Sequence, residues 1–260
     1  MIVEDLREDE KQMYFHCLEE WSDDIKDAGT HRENWYNKML SKGLRVKLAR
    51  DDSGIVGGMI QYVPIEHSTA EGEGLYFIYC IWVHGHKQGR GNFQKRGMGK
   101  ALLKAAEDDA KALGAKGMVA WGLSMPMFMR AAWFKKRGYE KVDKDGMMVL
   151  LWKRFTEDAK PPRFIKQKKI PQPIPGKVAV VSFRNGWCTA GNAVHERAKR
   201  ASAQFGDKVV FSEYDTSERD VLLAWGMADG LLIDGKQIRT GPPPTYDKIL
   251  KQIHKRVKKL

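Results

Sequence analysis

The stretch GNFQKRGMGKALLKAAEDDAKALG, from Gly91 to Gly114, decides the fold. Gly97 and Gly99 stand among basic residues, just before an amphipathic pattern that predicts a helix ending at Gly114. Glycine tolerates a positive φ and lets the backbone approach a ligand, and a helix start presents unpaired N–H groups. The stretch therefore predicts an anion-binding loop. The six residues QKRGMG alone leave a second interpretation open, a glycine-containing helix cap beside a basic surface.

Two common phosphate loops do not fit these letters. A Walker loop, G-x-x-x-x-G-K-[ST], would have glycine where Gln94 stands and a hydroxyl residue where Ala101 stands. A dinucleotide fingerprint, G-x-G-x-x-G, fails at its third glycine, which is Leu102 here. The pattern that fits is Q-x-x-G-x-G over residues 94–99, preceded by the apolar run LYFIYCIWV over residues 75–83.

The order of predicted elements around this loop points to one fold. Patterns over residues 1–156 predict a helix over residues 13–21 and a second helix over residues 31–40. A hairpin, a buried strand, the glycine loop with its helix, a strand, a short helix and a closing strand follow. This order and the Q-x-x-G-x-G loop resemble the GNAT superfamily of acyl-CoA-dependent acyltransferases. The resemblance implies an α/β domain with a mixed, mostly antiparallel sheet and flanking helices.

The rest of the chain predicts a linker and a second, small α/β domain. Residues 157–176 carry five prolines and many charges, which favours a semi-rigid basic linker. This linker is either a solvated tether or a segment that binds an acidic partner. Residues 177–260 follow the order strand–helix–strand–helix–strand–strand–helix, which resembles thioredoxin. A GNAT domain followed by such a tail is similar to the YoaP-type acetyltransferases.

The GNAT resemblance implies acetyl-CoA as co-substrate, with no metal. Backbone N–H groups between Arg96 and Lys100 would hold the coenzyme A diphosphate. In the family the strand before the loop separates from its neighbour, so the free backbone groups of residues 81–83 would lie along the pantetheine arm. The implied cofactor-binding residues are Ile81, Trp82, Val83, Gln94, Lys95, Arg96, Gly97, Met98, Gly99 and Lys100. Basic side chains near the loop either approach the phosphates or stay solvated.

The reaction implied is direct attack of a small-molecule amine on the thioester. A base is needed because an alkyl amine is protonated at neutral pH. Glu71, Glu73 and His84 flank the central strand, and Glu73 is the preferred candidate.

The leaving thiolate raises a separate question, because the chain departs from the family pattern. Many GNAT enzymes protonate that thiolate with a tyrosine, but here Phe134 takes the tyrosine position and Met127 that of a preceding asparagine. The expected proton donor is therefore Ser124 or water.

Two sulfur features leave alternatives open. WCTAGN resembles the thioredoxin W-C-x-x-C turn, which makes Cys188 a candidate reactive thiol, but Gly191 replaces the second cysteine and MADGLL replaces the usual cis-proline segment. An inert cysteine is the alternative. The spacing of Met125, Met127 and Met129 suits either Cu(I) or an apolar wall, and the apolar wall is preferred.

Composition sets the remaining expectations. The 260 residues carry a net charge of +12, and residues 157–260 hold 20 basic against 11 acidic residues. Without an aromatic RNA-binding motif this charge predicts a solvated face, not a nucleic-acid partner, although a ribosome-associated acetyltransferase is a third hypothesis. Three cysteines and an acidic N-terminus without an apolar core favour a cytoplasmic protein with no membrane partner. The function alternative to the enzyme is a non-catalytic acyl-CoA-binding or thiol-sensing module.

Overall fold

The computed structural model describes residues 1–125, 128–238 and 242–260. The chain forms two compact units. The first unit consists of residues 1–21 and 37–165, and the second of residues 22–36 and 166–260.

Eight α-helices and thirteen strands occur among the described residues. The helices are α1 Lys11–Phe15, α2 Asp23–Lys26, α3 His31–Leu40, α4 Met98–Ala112, α5 Ala131–Lys135, α6 Thr189–Ala203, α7 Arg219–Trp225 and α8 Tyr246–Val257. The strands are β1 Ile2–Asp5, β2 Arg45–Arg50, β3 Val56–Pro64, β4 Ala70–Glu71, β5 Leu75–Val83, β6 Gly117–Leu123, β7 Glu140–Asp145, β8 Met148–Arg154, β9 Arg163–Phe164, β10 Val178–Arg184, β11 Val209–Asp215, β12 Gly230–Ile233 and β13 Lys236–Gln237. None of the helices in the described ranges combines the length and the apolar character that a membrane span needs.

A seven-stranded sheet forms the centre of the first unit. Its order is β1-β2-β3-β5-β6-β8-β7, and every neighbouring pair is antiparallel except β5 and β6, which run parallel. The buried run that was expected over residues 75–83 is β5. Parallel strands end at the same edge of a sheet, so the carboxyl ends of β5 and β6 face the same edge.

Helix α4 packs on this sheet through one apolar face. Its buried positions recur with helical spacing at residues 98, 102, 103, 106 and 110, and they join a core that includes Ile60, Ile78 and Met118. On the flank of this same face, Asp109 accepts hydrogen bonds from Arg45 Nε and Nη2 of β2, both at 3.0 Å. The helix is therefore fixed to the sheet by apolar burial and by a bidentate ion pair.

The N-terminal region differs from the sequence prediction in two ways. The predicted helix over residues 13–21 ends at Phe15, because Cys17 and Leu18 adopt positive φ angles of 55° and 63°. Leu18 is fully buried, so tertiary packing outweighs helical periodicity at this point. In addition, residues 2–5, for which no strand was predicted, pair with β2 as the edge strand β1.

The second unit is built around a four-stranded sheet with the order β11-β10-β12-β13. Strand β10 pairs parallel to β11 and antiparallel to β12, and β12 pairs antiparallel to β13. Val194 and Ala198 of α6 join Ile249 and Ile253 of α8 in one core cluster with β10 and β12. A second, smaller cluster around Phe183 includes residues of α7 and the segment after it.

The compact units and the predicted boundaries, 1–156, 157–176 and 177–260, differ in two places. Residues 22–36 belong to the second unit although they precede most of the first. The predicted linker is also not a free tether at its start, because β9 pairs with β4 and Phe164 is buried, with its N–H bonded to Asp143 at 2.9 Å. The proline-rich composition did not reveal this short strand.

Candidate active site

The glycine loop leads directly into α4. Gly97 precedes the helix with φ of +90°, and its carbonyl accepts hydrogen bonds from the N–H groups of Lys100 and Ala101. The first amides of a helix have no acceptor within the helix. Apart from the chain neighbours of Gly97, the only atom of the described residues within 4 Å of a Cβ built there is Met1 Cε at 3.9 Å, so the space beside this glycine is open. An anion would find backbone donors and the positive end of a helix dipole here.

The other loop residues surround this helix start. Lys95 has a φ of 63°, and the side chains of Gln94, Lys95, Arg96 and Lys100 are exposed. The guanidinium of Arg96 lies 5.3 Å from the ring centroid of Phe93. Gln94 packs over the backbone of Gly85, where a Cβ would come within 2.6 Å of Gln94 Cδ.

The two parallel strands next to this loop separate towards their carboxyl ends. Their pairing register stops at Ile78 and Ala120, although β5 continues to residue 83 and β6 to residue 123. The indole N–H of Trp121 donates to the carbonyl oxygen of Tyr79 at 2.9 Å, at the start of this separation. The end of β5 therefore has an edge that β6 does not cover.

Backbone groups on that edge follow from the pairing with β3. The N–H of His84 donates to Gly57 of β3 at 2.9 Å, so the alternation of an antiparallel strand turns the N–H and C=O of Ile81 and Val83 to the opposite edge. The side chains of Ile81 and Val83 pack against the core. Trp82 faces the other way, and its buried indole nitrogen has no hydrogen-bond partner in the described part of the chain.

The strand edge and the helix start are neighbours. A Cβ on Gly99 would lie 3.8 Å from Val83 Cγ2 and 3.2 Å from Trp133 Cζ2. The absence of a side chain at position 99 thus allows the helix to begin against the end of β5. One continuous surface offers strand N–H and C=O groups at one end and helix amides at the other.

An aromatic cluster lies at the same end of β5. We define it as Trp21, Trp82, His84, His86 and Phe128. Ring centroids are 5.9 Å apart between Trp82 and Phe128 and 5.4 Å apart between Trp21 and His86. Several large ring faces beside an open strand edge would suit an apolar or cationic ligand.

A carboxylate–imidazole pair borders this cluster. His86 Nε2 lies 3.5 Å from Glu19 Oε1, and the Glu19 side chain is only 19% exposed. Burial raises the pKa of the Glu19 carboxyl above its ordinary value, although His86 and His84 act in the opposite direction. Sequence patterns missed this pair because the two residues are far apart in the chain. The paired histidines of HGH at residues 84–86 were the available signal.

Comparison with known proteins assigns the family. The model of the acetyltransferase (GNAT) family matches residues 3–139, which is more than half of the 260 residues. The chain belongs to the GNAT acetyltransferase family. No curated protein matched the chain.

Solved GNAT structures cover about three-fifths of the chain. A GNAT family acetyltransferase from Staphylococcus aureus is 14% identical, with a TM-score of 0.44, over 60% of this chain and 99% of its own. A GNAT family N-acetyltransferase from Escherichia coli, solved with CoA, is 12% identical, with a TM-score of 0.44, over 63% and 88%. A GNAT family acetyltransferase from Brucella melitensis, solved with acetyl-CoA, is 16% identical, with a TM-score of 0.40, over 62% and 90%. At these identities and TM-scores, the similarity supports no conclusion about the substrate or mechanism of this chain.

In this GNAT acetyltransferase, the residues expected to act as base are not brought to the open strand edge. Glu73 precedes β5, and its side chain is 83% exposed and lies 3.8 Å from Lys160. Nine residues of strand separate it from the far end of β5, a length of about 30 Å. Glu71 contacts Arg163 of β9 at the same distant end.

His84, the third candidate, is fully buried and already bonded at both ring nitrogens. Nδ1 donates to the carbonyl of Gly91 at 2.7 Å, and Nε2 accepts from the indole of Trp21 at 3.2 Å. The carbonyl of His84 also accepts from Phe93 N–H at 2.9 Å. These bonds fix the segment between β5 and the glycine loop. Both ring nitrogens of His84 therefore make structural hydrogen bonds and are not available to accept a proton from the amine.

The remaining residues of the first unit that the sequence singled out differ in their exposure to solvent. Ser124 is exposed and follows β6, with its N–H bonded to the carbonyl of Met147 at 2.9 Å, which places it at the edge where β5 also ends. Phe134 is fully buried. Met125 is 46% exposed whereas Met129 is 6% exposed, so these two do not share an environment. Met127 lies outside the described residues.

In the second unit, Cys188 is the N-cap residue of α6 and is half-buried. A Cβ on Gly191 would lie 3.8 Å from Cys188 Cβ and 3.7 Å from Asp229 Oδ1. The Asp229 carboxylate accepts the N–H of Asn185 at 3.0 Å. The described residues contain no cis peptide bond.

Proposed function

We propose that the first unit transfers an acetyl group from acetyl-CoA to a small-molecule amine. The observation that carries the proposal is the separation of β5 from β6 beside the open start of α4. In this proposal the diphosphate binds backbone amides between Arg96 and Lys100, with Gln94 and Lys95 flanking it, and the pantetheine arm lies along Ile81, Trp82 and Val83.

The strand edge would also supply the catalytic hydrogen bond. A backbone N–H at Ile81 or Val83, fixed by the pairing of β5 with β3, can donate to the thioester carbonyl as it becomes an oxyanion. A preorganised donor of this kind lowers the barrier by about 3 kcal/mol. The thioester C–S bond breaks as the C–N bond forms, and the amine loses one proton while the thiolate gains one.

Glu19 and His86 are the groups we assign to proton removal from the amine, in place of the distant Glu73. A carboxyl with a raised pKa is a stronger base than an ordinary glutamate, and general-base catalysis contributes about 10² to 10⁴-fold. The neighbouring faces of Trp82 and Phe128 favour an amine with an apolar or aromatic body. Ser124, at the end of β6, or water would protonate the thiolate, because Phe134 has no proton to give.

For the second unit we propose a thioredoxin-like fold with a single-thiol site at Cys188. The sheet order β11-β10-β12-β13, with its one parallel pair, supports this assignment, and so does a cysteine at the start of the first helix. Gly191 provides no second thiol, so oxidation would stop at a sulfenic acid or a mixed disulfide. Iodoacetamide labelling across pH should modify Cys188 faster than Cys17 or Cys80. If Cys188 were the slowest of the three, it would be a packing residue only.

The test of the acetyltransferase is turnover with a panel of amines that differ in their apolar bodies. Coenzyme A and acetylated amine are measured by chromatography, with acetyl-CoA binding measured separately by calorimetry. Glu19→Gln should lower turnover about a hundredfold with unchanged acetyl-CoA binding, whereas Glu8→Gln, at a side chain 86% exposed, should match the wild type. Tight acetyl-CoA binding with no product from any amine would favour the non-catalytic acyl-CoA-binding module instead.

A further inference from the structure

Two histidines and two glutamates lie close together in the second unit. The proposed acetyl transfer uses none of them. His31 at the start of α3 meets His195 and Glu196 of α6, and His31 Nε2 lies 2.6 Å from Glu196 Oε1. His195 Nε2 lies 4.0 Å from Glu196 Oε1 and 3.3 Å from Oε2 of Glu213 on β11. The two imidazole rings meet edge to face with centroids 5.2 Å apart. Three separate elements thus direct nitrogen and oxygen atoms to one place.

His195 is the central residue of this cluster. Its side chain is 2% exposed, and its Nε2 is buried without a hydrogen-bond partner among the described residues. Its other nitrogen, Nδ1, lies 2.9 Å from the hydroxyl of Ser182 on β10. A hydroxyl at Nδ1 can fix the tautomer that leaves the Nε2 lone pair free, which is the arrangement seen in metal-binding histidines. A buried polar atom of this kind is rarely left without a partner in a folded protein.

We propose that His31, His195, Glu196 and Glu213 form a binding site for a zinc-like divalent cation. Imidazole nitrogen and carboxylate oxygen are both ordinary zinc ligands, and four of them complete a tetrahedral site. The ligand atoms of His31, His195 and Glu196 all lie within 4.8 Å of one another. Ligands around one zinc ion are about 3.4 Å apart, given bonds of about 2.1 Å, so small side-chain rotations bring them into range.

The charges near the cluster are compatible with one dication. The two carboxylates bring two negative charges. Lys199 Nζ lies 3.5 Å from Glu213, and the positive charge of Arg184 at the end of β10 acts on His195, so two cations border the cluster. The Lys199 side chain is 55% exposed, so it can move away when the ion binds. Glu213 is half-exposed, which provides the route by which an ion enters.

The site predicts one zinc ion for each full-length chain. Protein freed of metal with a chelator is titrated with ZnCl₂ by calorimetry, and Co²⁺ is added separately to record the visible bands of a tetrahedral site. We expect one equivalent of Zn²⁺ to bind and His195→Asn and Glu196→Gln to weaken it at least a hundredfold. His254→Asn is the matched control, because His254 is a helical histidine of the same unit that stacks on Phe205 outside the cluster.

Folding of each variant is checked by circular dichroism and melting temperature without metal. If His195→Asn does not fold, Glu213→Gln replaces it, because a half-exposed carboxylate can be changed with little structural effect. The proposal is overturned if the wild-type chain binds no Zn²⁺, or if the folded cluster variants bind it as tightly as His254→Asn. In either case the cluster is a hydrogen-bonded network only.

Discussion

Replacing Gly97 by aspartate or asparagine tests the diphosphate site with a matched pair. The two side chains have nearly the same shape and differ by one negative charge. Asparagine and aspartate both tolerate positive φ better than other non-glycine residues. The comparison therefore separates the effect of charge beside the start of α4 from the effect of adding a side chain.

The structure sets the size of each effect. A non-glycine residue at the φ of +90° adopted by Gly97 is destabilised by about 1–2 kcal/mol, and no clash adds to this because the nearest atom to the new Cβ is Met1 Cε at 3.9 Å. Both variants should therefore fold. A carboxylate about 5 Å from one phosphate charge is repelled by about 3 kcal/mol at an effective dielectric constant near 20. This repulsion corresponds to a loss of affinity of about a hundredfold.

Acetyl-CoA binding is measured by calorimetry and by the shift in melting temperature, at low and at high salt. We expect Gly97→Asn to bind acetyl-CoA within a few-fold of the wild type and Gly97→Asp to bind it about a hundredfold more weakly. The difference in acetyl-CoA affinity between the two variants should become smaller at high salt, because salt screens the repulsion. Equal affinities of two folded variants would mean that the diphosphate does not lie at the start of α4, and the assignment would fail.

Three further predictions concern stability and proton transfer. Asp109→Asn should lower the free energy of unfolding by about 1.5–3 kcal/mol, because the carboxylate accepts charged hydrogen bonds from Arg45. Burial raises the pKa of Asp109, but the hydrogen bonds outweigh it and hold this pKa below its ordinary value. The stability advantage of the wild type in urea unfolding is therefore present above pH ~4 and is lost as the pH falls further. A difference in unfolding free energy that stayed constant down to pH 2 would contradict this. Gly57→Ala should lower the melting temperature, because its Cβ would come within 2.6 Å of Phe93 Cδ1 and overpacking destabilises by about 1–3 kcal/mol; an unchanged melting temperature would show that the ring moves freely. Glu19→Gln should remove the acidic limb of the pH–rate profile, and an unaltered profile would reassign the base.

The sequence identified the first domain because its strongest signals are local. The glycine loop, β5 and α4 follow one another without a break, and their periodicity and glycine positions depend on neighbouring residues only. The predicted helix over residues 31–40 also coincides with α3. The separation of β5 from β6 came from family resemblance, since no sequence pattern reports where a strand pair stops.

The elements missed by the sequence depend on distant contacts. Strand β1 forms because residues 2–5 pair with β2, more than forty residues away. The pairing of His86 with Glu19 follows from the folding of the N-terminal segment against the end of β5. The predicted base Glu73 failed to reach the open edge because nearness in sequence to a strand does not say which of its ends faces the ligand.

The division of residues 22–36 from their sequence neighbours affects how the chain can fold as it is synthesised. The chain passes from one unit to the other after residues 21, 36 and 165. Asp24 and Asp27 bond to Arg197, so the ribosome makes this segment about 170 residues before its partner on α6 exists. Until then these residues have no native partner in the second unit. A fragment that ends in the proline-rich segment would keep residues 22–36 without their packing surface, and gene fusions at that point would separate parts of one folding unit.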